Sequence, residues 1–239
     1  MAEQFFIQGE RRAEKVNQLF STVARRYDLM NDLQSFGLHR YWKRKLIQIS
    51  HVQPGDHALD VCCGTADLAL GLARRGAQTV GLDFTEEMLR IAESKALKAN
   101  LKSRITFVSG DAESLQFPDS SFDIVTVGYG LRNLNSWETG LQEMQRVAKP
   151  GGRLLILEFG KPSNPFWRSL YFGYLRLFVP LLGQLFCGNA RAYAYILESL
   201  KHYPSQDEVA AKLRDLGLRD VRIINLLRGV MSIHYALKC

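Results

Sequence analysis

Three acidic residues stand at the ends of apolar segments that have the length of buried strands. Asp60 ends ALD, Asp83 ends TVGLD, and Asp111 follows ITFVSG. The carboxyl ends of parallel strands meet at one edge of a sheet, where α/β folds bind their ligands. Carboxylates there accept hydrogen bonds from ribose hydroxyls or an amino group and attract a cation. We therefore expect a ligand with a ribose, an amine and a cationic centre.

The loop after the first of these segments, CCGTAD (62–67), resembles a nucleotide-binding turn but is not GxGxxG. It is therefore weak evidence for a pyrophosphate, which the neighbouring acids would also repel. Asp83 lies about twenty residues beyond the loop, the spacing at which an acid takes ribose hydroxyls. The alternatives for Asp83 are an acid at a helix N-terminus and a solvated strand end. A nucleoside without phosphates fits this pattern better than a dinucleotide.

The elements that must position these residues alternate along the chain. Apolar segments at 57–61, 78–83, 104–111, 122–130 and 153–159 are separated by helical patterns, which predicts a doubly wound, mostly parallel sheet. Two further segments, LRDVRIINLL and GVMSIHYALK, are joined near Arg228 and Gly229, which predicts an antiparallel hairpin. The expected fold class is α/β with a seven-stranded sheet.

One domain of 239 residues is expected, with parts that differ in composition. Residues 1–52 form an N-terminal helical cover, 53–160 the binding core, 161–204 an aromatic-rich helical insertion before the sixth strand, and 205–239 a helix and the hairpin. Within the insertion, Arg168, Arg176 and Pro180 keep any run below the roughly 18 uninterrupted apolar residues of a membrane span. We expect an insertion rather than an anchor.

Composition excludes several classes of protein. The formal net charge of +7 suits nucleic acid, an anionic membrane or a phosphorylated ligand. No repeated basic helix face, zinc module or RNA-binding aromatic signature is visible, so no nucleic-acid partner is expected. The four cysteines form neither a CxxC spacing nor a disulfide framework, which indicates a reducing compartment and no metal. The first dozen residues are charged and do not have the pattern of a secretory signal.

Four motifs in order, LDVCCGTADL, GLDFTEEML, GDAESLQFPDSSFD and RVAKPGG, resemble class I S-adenosylmethionine-dependent methyltransferases. More narrowly, the chain is similar to the ubiquinone/menaquinone biosynthesis C-methyltransferase family over residues 15 to 238, through RRYDLMND, HRYWK, YGLRN, LLILEFGKP, AYAYILESLKHYP and GVMSIHY. The resemblance implies a Rossmann-like fold, S-adenosylmethionine as methyl donor without a metal, and a prenylated quinol as substrate.

The resemblance also implies which residues bind the donor. The matching positions are Gly64, Thr65, Asp83, Asp111 and Ala112, and the expected site comprises Asp60, Cys62, Gly64, Thr65, Asp83, Asp111, Ala112 and Gly128. Gly128 stands where the family usually has a serine, so one side-chain hydrogen bond to the donor is in question. The adjacent Cys62 and Cys63 are interpreted as small residues packed beside the ligand.

Methylation of a ring carbon requires removal of a phenolic proton and alignment with the methyl group. Arg132 and Asn133 can hold the phenolate oxygen, by charge and by a donated hydrogen bond. No strong base is obvious, and the candidates are a polarised water, Tyr27 and His234. His234 titrates in the right range, but a packed strand residue is an equal interpretation. The substrate site implied by the resemblance comprises Tyr27, Asn31, His39, Trp42, Arg132 and Asn133; plain packing is the alternative for Trp42.

The insertion offers an apolar groove for a polyprenyl tail. Its expected lining is Phe166, Trp167, Tyr171, Phe172, Tyr174 and Phe178, with Arg168 and Arg176 meeting lipid head groups. An ordinary helical lid is the alternative. The expected enzyme is cytoplasmic, with peripheral contact at the inner face of the membrane and a homodimer left open.

Demethylmenaquinol is the first choice of substrate. A ubiquinone-pathway benzoquinol, demethylphylloquinol and a small molecule of specialised metabolism are alternatives within the same reaction class. A nicotinamide oxidoreductase and a non-catalytic scaffold are alternatives outside it. The absence of GxGxxG counts against the oxidoreductase, and Arg132 with Asn133 counts against the scaffold.

Overall fold

The computed structural model describes residues 10–239, which fold around one seven-stranded sheet. The strands in spatial order are β3, β2, β1, β4, β5, β7 and β6. Their bounds are β1 His57–Val61, β2 Gln78–Asp83, β3 Ile105–Ser109, β4 Phe122–Gly128, β5 Ala148–Phe159, β6 Arg219–Leu226 and β7 Met231–Leu237. All neighbours are parallel except β7, which runs antiparallel to both β5 and β6. The predicted fold class and hairpin are confirmed.

The helices cover both faces of the sheet and one end of it. Their bounds are α1 Glu10–Val23, α2 Tyr27–Ser35, α3 Leu38–Ile49, α4 Asp67–Arg74, α5 Glu86–Lys98, α6 Trp137–Val147, α7 Pro165–Cys187, α8 Ala190–His202 and α9 Gln206–Asp215. Short 3₁₀ turns lie at Ala24–Arg26, Leu131–Asn133 and Leu227–Gly229. The expected insertion before the sixth strand corresponds to α7 and α8.

The central strands are buried on both faces, which is why their sequences are almost continuously apolar. Leu59 of β1, Val125 of β4 and Ile156 of β5 have no exposed surface. After β3 the chain crosses back to place β4 on the other side of β1. This reversal opens a crevice at the carboxyl ends of β1 and β4, the place where such sheets bind ligands.

Helix α7 runs without a break through Pro180. It begins at Asn164, whose side chain accepts the backbone N–H of Trp167, and ends at Gly188, which has a left-handed φ of 66°. By length and composition alone, α7 would be able to cross a membrane, with 22% of its most apolar window buried in the protein. The sequence expectation that Pro180 and the two arginines exclude such a segment is therefore too strict. α7 packs along α8, with Val179 and Gly183 buried.

Candidate active site

Two cavities lie side by side above the carboxyl ends of β1 and β4. The larger, called here the apolar cavity, has a volume of about 340 Å³ and lies among α1, α2, α3, α7 and α8. The smaller, called here the strand-end cavity, has about 110 Å³ and follows β1, β2, β3 and β4. Phe20, Tyr27 and Tyr129 line both cavities. These three rings form the shared wall, across which a ligand in one cavity faces a ligand in the other.

The backbone N–H groups of the loop after β1 donate hydrogen bonds within the protein. Cys62, Gly64 and Ala66 have left-handed φ values of 52°, 55° and 68°, and the turn aims successive N–H groups at the end of β2. The N–H of Cys63 donates to the carbonyl of Leu82 at 2.9 Å, and that of Gly64 donates to Oδ2 of Asp83 at 2.7 Å. A pyrophosphate would have to compete with this carboxylate. The geometry agrees with a ligand without phosphates.

Asp83 is held rigidly at the edge of the strand-end cavity. Its second oxygen accepts the backbone N–H of Thr85 at 2.9 Å, which leaves further lone pairs on both oxygens. Burial raises the pKa of Asp83, and the two backbone hydrogen bonds oppose that rise. A fixed carboxylate at the end of β2 is suited to a pair of hydroxyl donors.

Acceptors dominate the rest of the strand-end cavity. Asp111 and Glu113 line it with Asp83, and its lining in the described part of the chain includes no Lys or Arg. The amide oxygens of Asn17, Asn133 and Asn135 are buried there without a partner among residues 10–239. Such acceptors fit the hydroxyls, amino groups and sulfonium charge of S-adenosylmethionine. Asn17, Asn135 and Glu113 were not predicted: Asn17 is a polar residue beside the apolar stripe of α1, and Glu113 and Asn135 lie in the loops that follow β3 and β4.

Six of the predicted donor-site residues line this cavity: Cys62, Gly64, Asp83, Asp111, Ala112 and Gly128. Burial, followed by the charge of Asp83, raises the pKa of the Cys62 and Cys63 thiols well above the usual value. Both cysteines therefore stay protonated at neutral pH, which favours the interpretation that they pack beside the ligand. Their role in binding stays a prediction.

Asp60 and Thr65 do not line the strand-end cavity; with Cys62, Gly64 and Gly128 they border a smaller pocket of about 20 Å³ beside it. Asp60 lies beneath the loop, where it accepts the N–H of Ala69 at 3.0 Å and the hydroxyl of Thr126 at 2.7 Å. Burial raises the pKa of Asp60 to about 7. Thr65 donates to Oδ1 of Asp28 at 2.6 Å. Both side chains support the loop rather than face the cavity.

A network of charges joins the loop to the helical cover. Lys95 of α5 lies 2.6 Å from Asp28 of α2 and 3.0 Å from Asp67 of α4, and its Nζ also donates to Thr65. Lys43 of α3 completes the network at 2.7 Å from Asp67. Although burial opposes it, the two lysines hold the pKa of Asp67 well below its usual range. The network thus ties α2 to the loop that borders Asp83.

Arg132 lies in the wall of the apolar cavity and is almost fully buried. Its Nη1 donates to Oε1 of Glu158 at 2.7 Å and to the carbonyl of Tyr129 at 2.6 Å, while the guanidinium stacks on Phe159 at 4.7 Å. Burial alone would lower the pKa of Arg132, but the Glu158 carboxylate raises it. The sequence did not predict Glu158 as the partner of Arg132. The one sign of a special role was an acidic residue inside the apolar strand LLILEF.

Asn133 corrects the prediction of a paired Arg132–Asn133 clamp. It lines the strand-end cavity, on the other side of the shared wall from Arg132. Its Nδ2 donates to the same Tyr129 carbonyl, at 3.1 Å. The two residues therefore bind the same peptide carbonyl and line different cavities.

The other predicted substrate residues come together. Tyr27, Asn31, His39 and Trp42 all line the apolar cavity, with Arg132. Burial raises the pKa of Tyr27 to about 12, against the lowering effect of the Asn31 amide and of Arg132. Tyr27 is thus a phenol at neutral pH, able to donate a hydrogen bond but poorly suited to remove a proton.

His234 lies elsewhere and is corrected as a candidate base. It is buried in β7, opposite Ile156 of β5, and lines neither cavity. Its Nε2 lies 2.9 Å from the carbonyl of Gln206, and burial lowers its pKa. The interpretation as a packed strand residue fits these contacts.

The insertion supplies part of the predicted groove. Trp167, Tyr171 and Tyr174 of α7 line the apolar cavity, whereas Phe166, Phe172 and Phe178 do not. Among the described residues, no group of three or more His, Cys, Asp and Glu side chains is arranged to hold a metal ion.

Comparison with known proteins places this arrangement in a family. The model of the ubiE/COQ5 methyltransferase family matches residues 8–238. A ubiquinone/menaquinone biosynthesis C-methyltransferase UbiE of Ectopseudomonas mendocina is 42% identical over 234 residues, covering 95% of this chain and 90% of the relative. A demethylmenaquinone methyltransferase of Desulfitobacterium hafniense is 43% identical over 228 residues, covering 94% and 90%.

Solved structures agree on the fold. An S-adenosylmethionine-dependent methyltransferase of Thermotoga maritima superimposes with a TM-score of 0.66 at 17% identity, over 94% of this chain and all of that one. Another from Aquifex aeolicus gives 0.60 at 21% identity, over 82% and 89%. At such identities the likeness supports the class I methyltransferase fold alone.

Proposed function

Since this chain belongs to the ubiE/COQ5 methyltransferase family, we propose that it transfers a methyl group from S-adenosylmethionine to a ring carbon of a prenylated quinol. It is a methyltransferase, and its methyl donor is S-adenosylmethionine. Demethylmenaquinol is the first choice of acceptor, because the names of both relatives include menaquinone and only one includes ubiquinone. The benzoquinol of the ubiquinone pathway is the alternative to be tested beside it.

The observation that carries this proposal is the shared wall of Phe20, Tyr27 and Tyr129. On one side, acidic and amide acceptors suit a cationic nucleoside; on the other, a mostly apolar cavity contains Arg132. A transfer between two such ligands needs their reacting atoms at one boundary, with water excluded. The sulfonium supplies an electrophilic methyl group when the donor is bound.

Three polar residues of the apolar cavity have tasks in this proposal. Arg132, fixed by Glu158, offers positive charge to the oxygen of the quinol as it becomes a phenolate. Tyr27 and Asn31 lie on one face of α2 and orient the ring at the shared wall. Trp42 and the rings of α7 surround the apolar part of the substrate.

Methyl-labelled S-adenosylmethionine tests the proposal directly. The purified protein is incubated with reduced demethylmenaquinol and, separately, with the benzoquinol, and labelled product is separated by chromatography. We expect labelled menaquinol, with the carbon position identified by mass spectrometry. Absence of label from both quinols would refute the proposed reaction.

We also propose that the mouth of the apolar cavity rests on a membrane surface. Phe36, Leu170 and Leu227 line the cavity and are themselves at least half exposed, so they frame its opening with apolar surface. On α7, Phe166, Leu170, Leu177, Leu181 and Leu185 are exposed, and their spacing places them on one side of the helix. Arg168 and Arg176 are exposed nearby, where they can meet anionic head groups. A polyprenyl tail would then enter from the bilayer.

Co-sedimentation with vesicles of anionic phospholipid at low salt tests this surface. We expect the wild type to bind and the double variant Phe166→Asp/Leu177→Asp to lose binding. Leu97→Asp is the control, since Leu97 is also an exposed apolar residue, at 62%, but lies on α5. A wild type that stays in the supernatant would overturn the membrane proposal but would leave the proposed methyl transfer unaffected. The homodimer and the cytoplasmic location stay predictions.

A further inference from the structure

His39 and Asp32 form a pair, in which the buried His39 lines the apolar cavity and the partly exposed Asp32 does not. Nε2 of His39 lies 2.8 Å from Oδ1 of Asp32. The two residues belong to different helices, and the left-handed residues Phe36 and Gly37 between α2 and α3 turn the chain so that their side chains meet. The pair therefore depends on this turn rather than on one helix face.

The other ring nitrogen of His39 is left open. Nδ1 is buried and has no partner among the described residues, although only 4% of the residue's surface is exposed. With Nε2–H donating to the carboxylate, Nδ1 carries a lone pair and lacks a donor. A buried acceptor of this kind is costly unless a ligand supplies the donor.

The carboxylate partner is anchored and partly solvated. Arg40 donates two hydrogen bonds to Asp32, both at 2.6 Å, and these hold the pKa of Asp32 well below its usual range. The Asp32 side chain is 32% exposed, whereas that of His39 is 5% exposed. His39 also borders an open groove on the outer side of α3. The pair thus lies between the apolar cavity and solvent.

We propose that Nδ1 of His39 is the base that accepts the hydroxyl proton of the quinol, with Asp32 stabilising the imidazolium that results. This inference rests on the proposed function and names the proton acceptor that its chemistry requires. His39 was expected from the sequence only to bind the substrate.

The proton and electron balance is complete without another reactant. The O–H bond of the quinol breaks, its proton moves to Nδ1, and the oxygen electron pair is delocalised to the neighbouring ring carbon. That carbon forms the new bond to the methyl group, and the electrons of the broken C–S bond remain on sulfur. His39 then returns its proton to the oxygen while the ring C–H proton leaves to water, so that one proton is released per transfer.

The ionisation state of His39 suits this task. Burial, followed by the Lys43 ammonium, lowers the pKa of His39 below the usual value, while Asp32 raises it. His39 is therefore neutral at pH 7. Besides its partner Asp32, the charged and titratable groups around His39 lie on two sides. Those towards the groove are Asp28, Arg40, Lys43, Arg44, Asp67, Arg74, Lys95 and Lys98. Those in the cavity are Arg132, Tyr27, Tyr129, Tyr171, Tyr174, Tyr193 and Tyr195.

Turnover and ligand ionisation test the proposal together. For His39→Gln we expect a loss of at least about 100-fold in kcat with little change in KM, as is typical of losing a general base. His57→Gln is the matched control, because His57 is exposed at the opposite, amino end of β1. For Asp32→Asn we expect a lower plateau and an ascending limb of the kcat/KM pH profile that moves to lower pH, since Asp32 raises the pKa of His39.

The readout that is independent of turnover uses a prenyl-substituted 1-naphthol, whose naphtholate absorbs at longer wavelength than the neutral form. The wild type should ionise this bound ligand at lower pH than His39→Gln does. Equal ionisation and an unchanged pH profile in His39→Gln, with an active wild type, would overturn the role of His39. A wild type without transfer to any quinol would instead overturn the proposed function.

Discussion

Replacing Glu158 by Gln tests whether a buried ion pair holds Arg132 in place. Glu158 has no exposed surface, lies 2.7 Å from Nη1 of Arg132, and also accepts the backbone N–H groups of Arg132 and Phe159. Glutamine keeps the shape and one acceptor but removes the charge, so the guanidinium becomes an unpaired buried cation. Breaking such a pair costs about 3–5 kcal/mol. We expect the lower end because the Gln oxygen, in the place of Oε1, still accepts hydrogen bonds from Arg132 and Phe159.

A loss of about 3 kcal/mol corresponds to a fall in Tm of about 6–12 °C for a chain of this length. Urea denaturation and thermal unfolding measure the two quantities. The matched control is Glu86→Gln, which removes one partner of an exposed i,i+4 pair with Arg90 and should cost less than about 1 kcal/mol. If Glu158→Gln lowers the free energy of unfolding no more than Glu86→Gln does, the assignment of a buried ion pair that fixes Arg132 is refuted.

Three further predictions address the loop, the charge beneath it and the insertion. Asp83→Asn should weaken binding of S-adenosylhomocysteine about tenfold or more by calorimetry, because charged acceptors contribute about 1.5–3 kcal/mol each; an unchanged Kd would exclude a ribose contact. Asp60 has a folded-state pKa of about 7, so its contribution to stability falls as pH rises from about 4 to about 7. The difference in unfolding free energy between wild type and Asp60→Asn should vary across that window and be constant above it. Gly183→Ala would place a Cβ 2.3 Å from Cδ2 of Tyr193 and should cost about 1–3 kcal/mol, whereas Gly173→Ala meets nothing within 4 Å. Equal stabilities of these two variants would contradict the close packing of α7 on α8.

The fold was predictable because its signals are local. Apolar runs with the length of strands alternate with helical patterns, and the short Arg228–Gly229 connection indicates the hairpin. Each signal lies within about ten residues, and the handedness of βαβ units then leaves few topologies. The acidic strand ends of β2 and β3 were predictable for the same reason, since a parallel sheet brings its carboxyl ends to one edge.

The division of the site into two cavities was not predictable. Arg132 and Asn133 are adjacent in sequence, and the 3₁₀ turn at Leu131–Asn133 places them in the walls of different cavities. The partner of Arg132, Glu158, is 26 residues away. The meeting of His39 with Asp32 depends on two left-handed residues that carry no distinctive sequence pattern apart from Gly37. Such contacts come from tertiary packing, which periodicity does not encode.

Because Lys95 contacts both Asp28 and Thr65, we expect binding of the methyl donor and binding of the quinol to be coupled. Helix α2, which carries Asp28, also carries Tyr27 and Asn31 in the wall of the apolar cavity. A shift of the loop on binding of the methyl donor would therefore also shift the wall against which the quinol binds. Cooperativity of this kind is reciprocal: the factor by which the donor tightens the quinol equals the factor by which the quinol tightens the donor. An inhibitor that fills only one cavity therefore changes how firmly the other one holds its occupant.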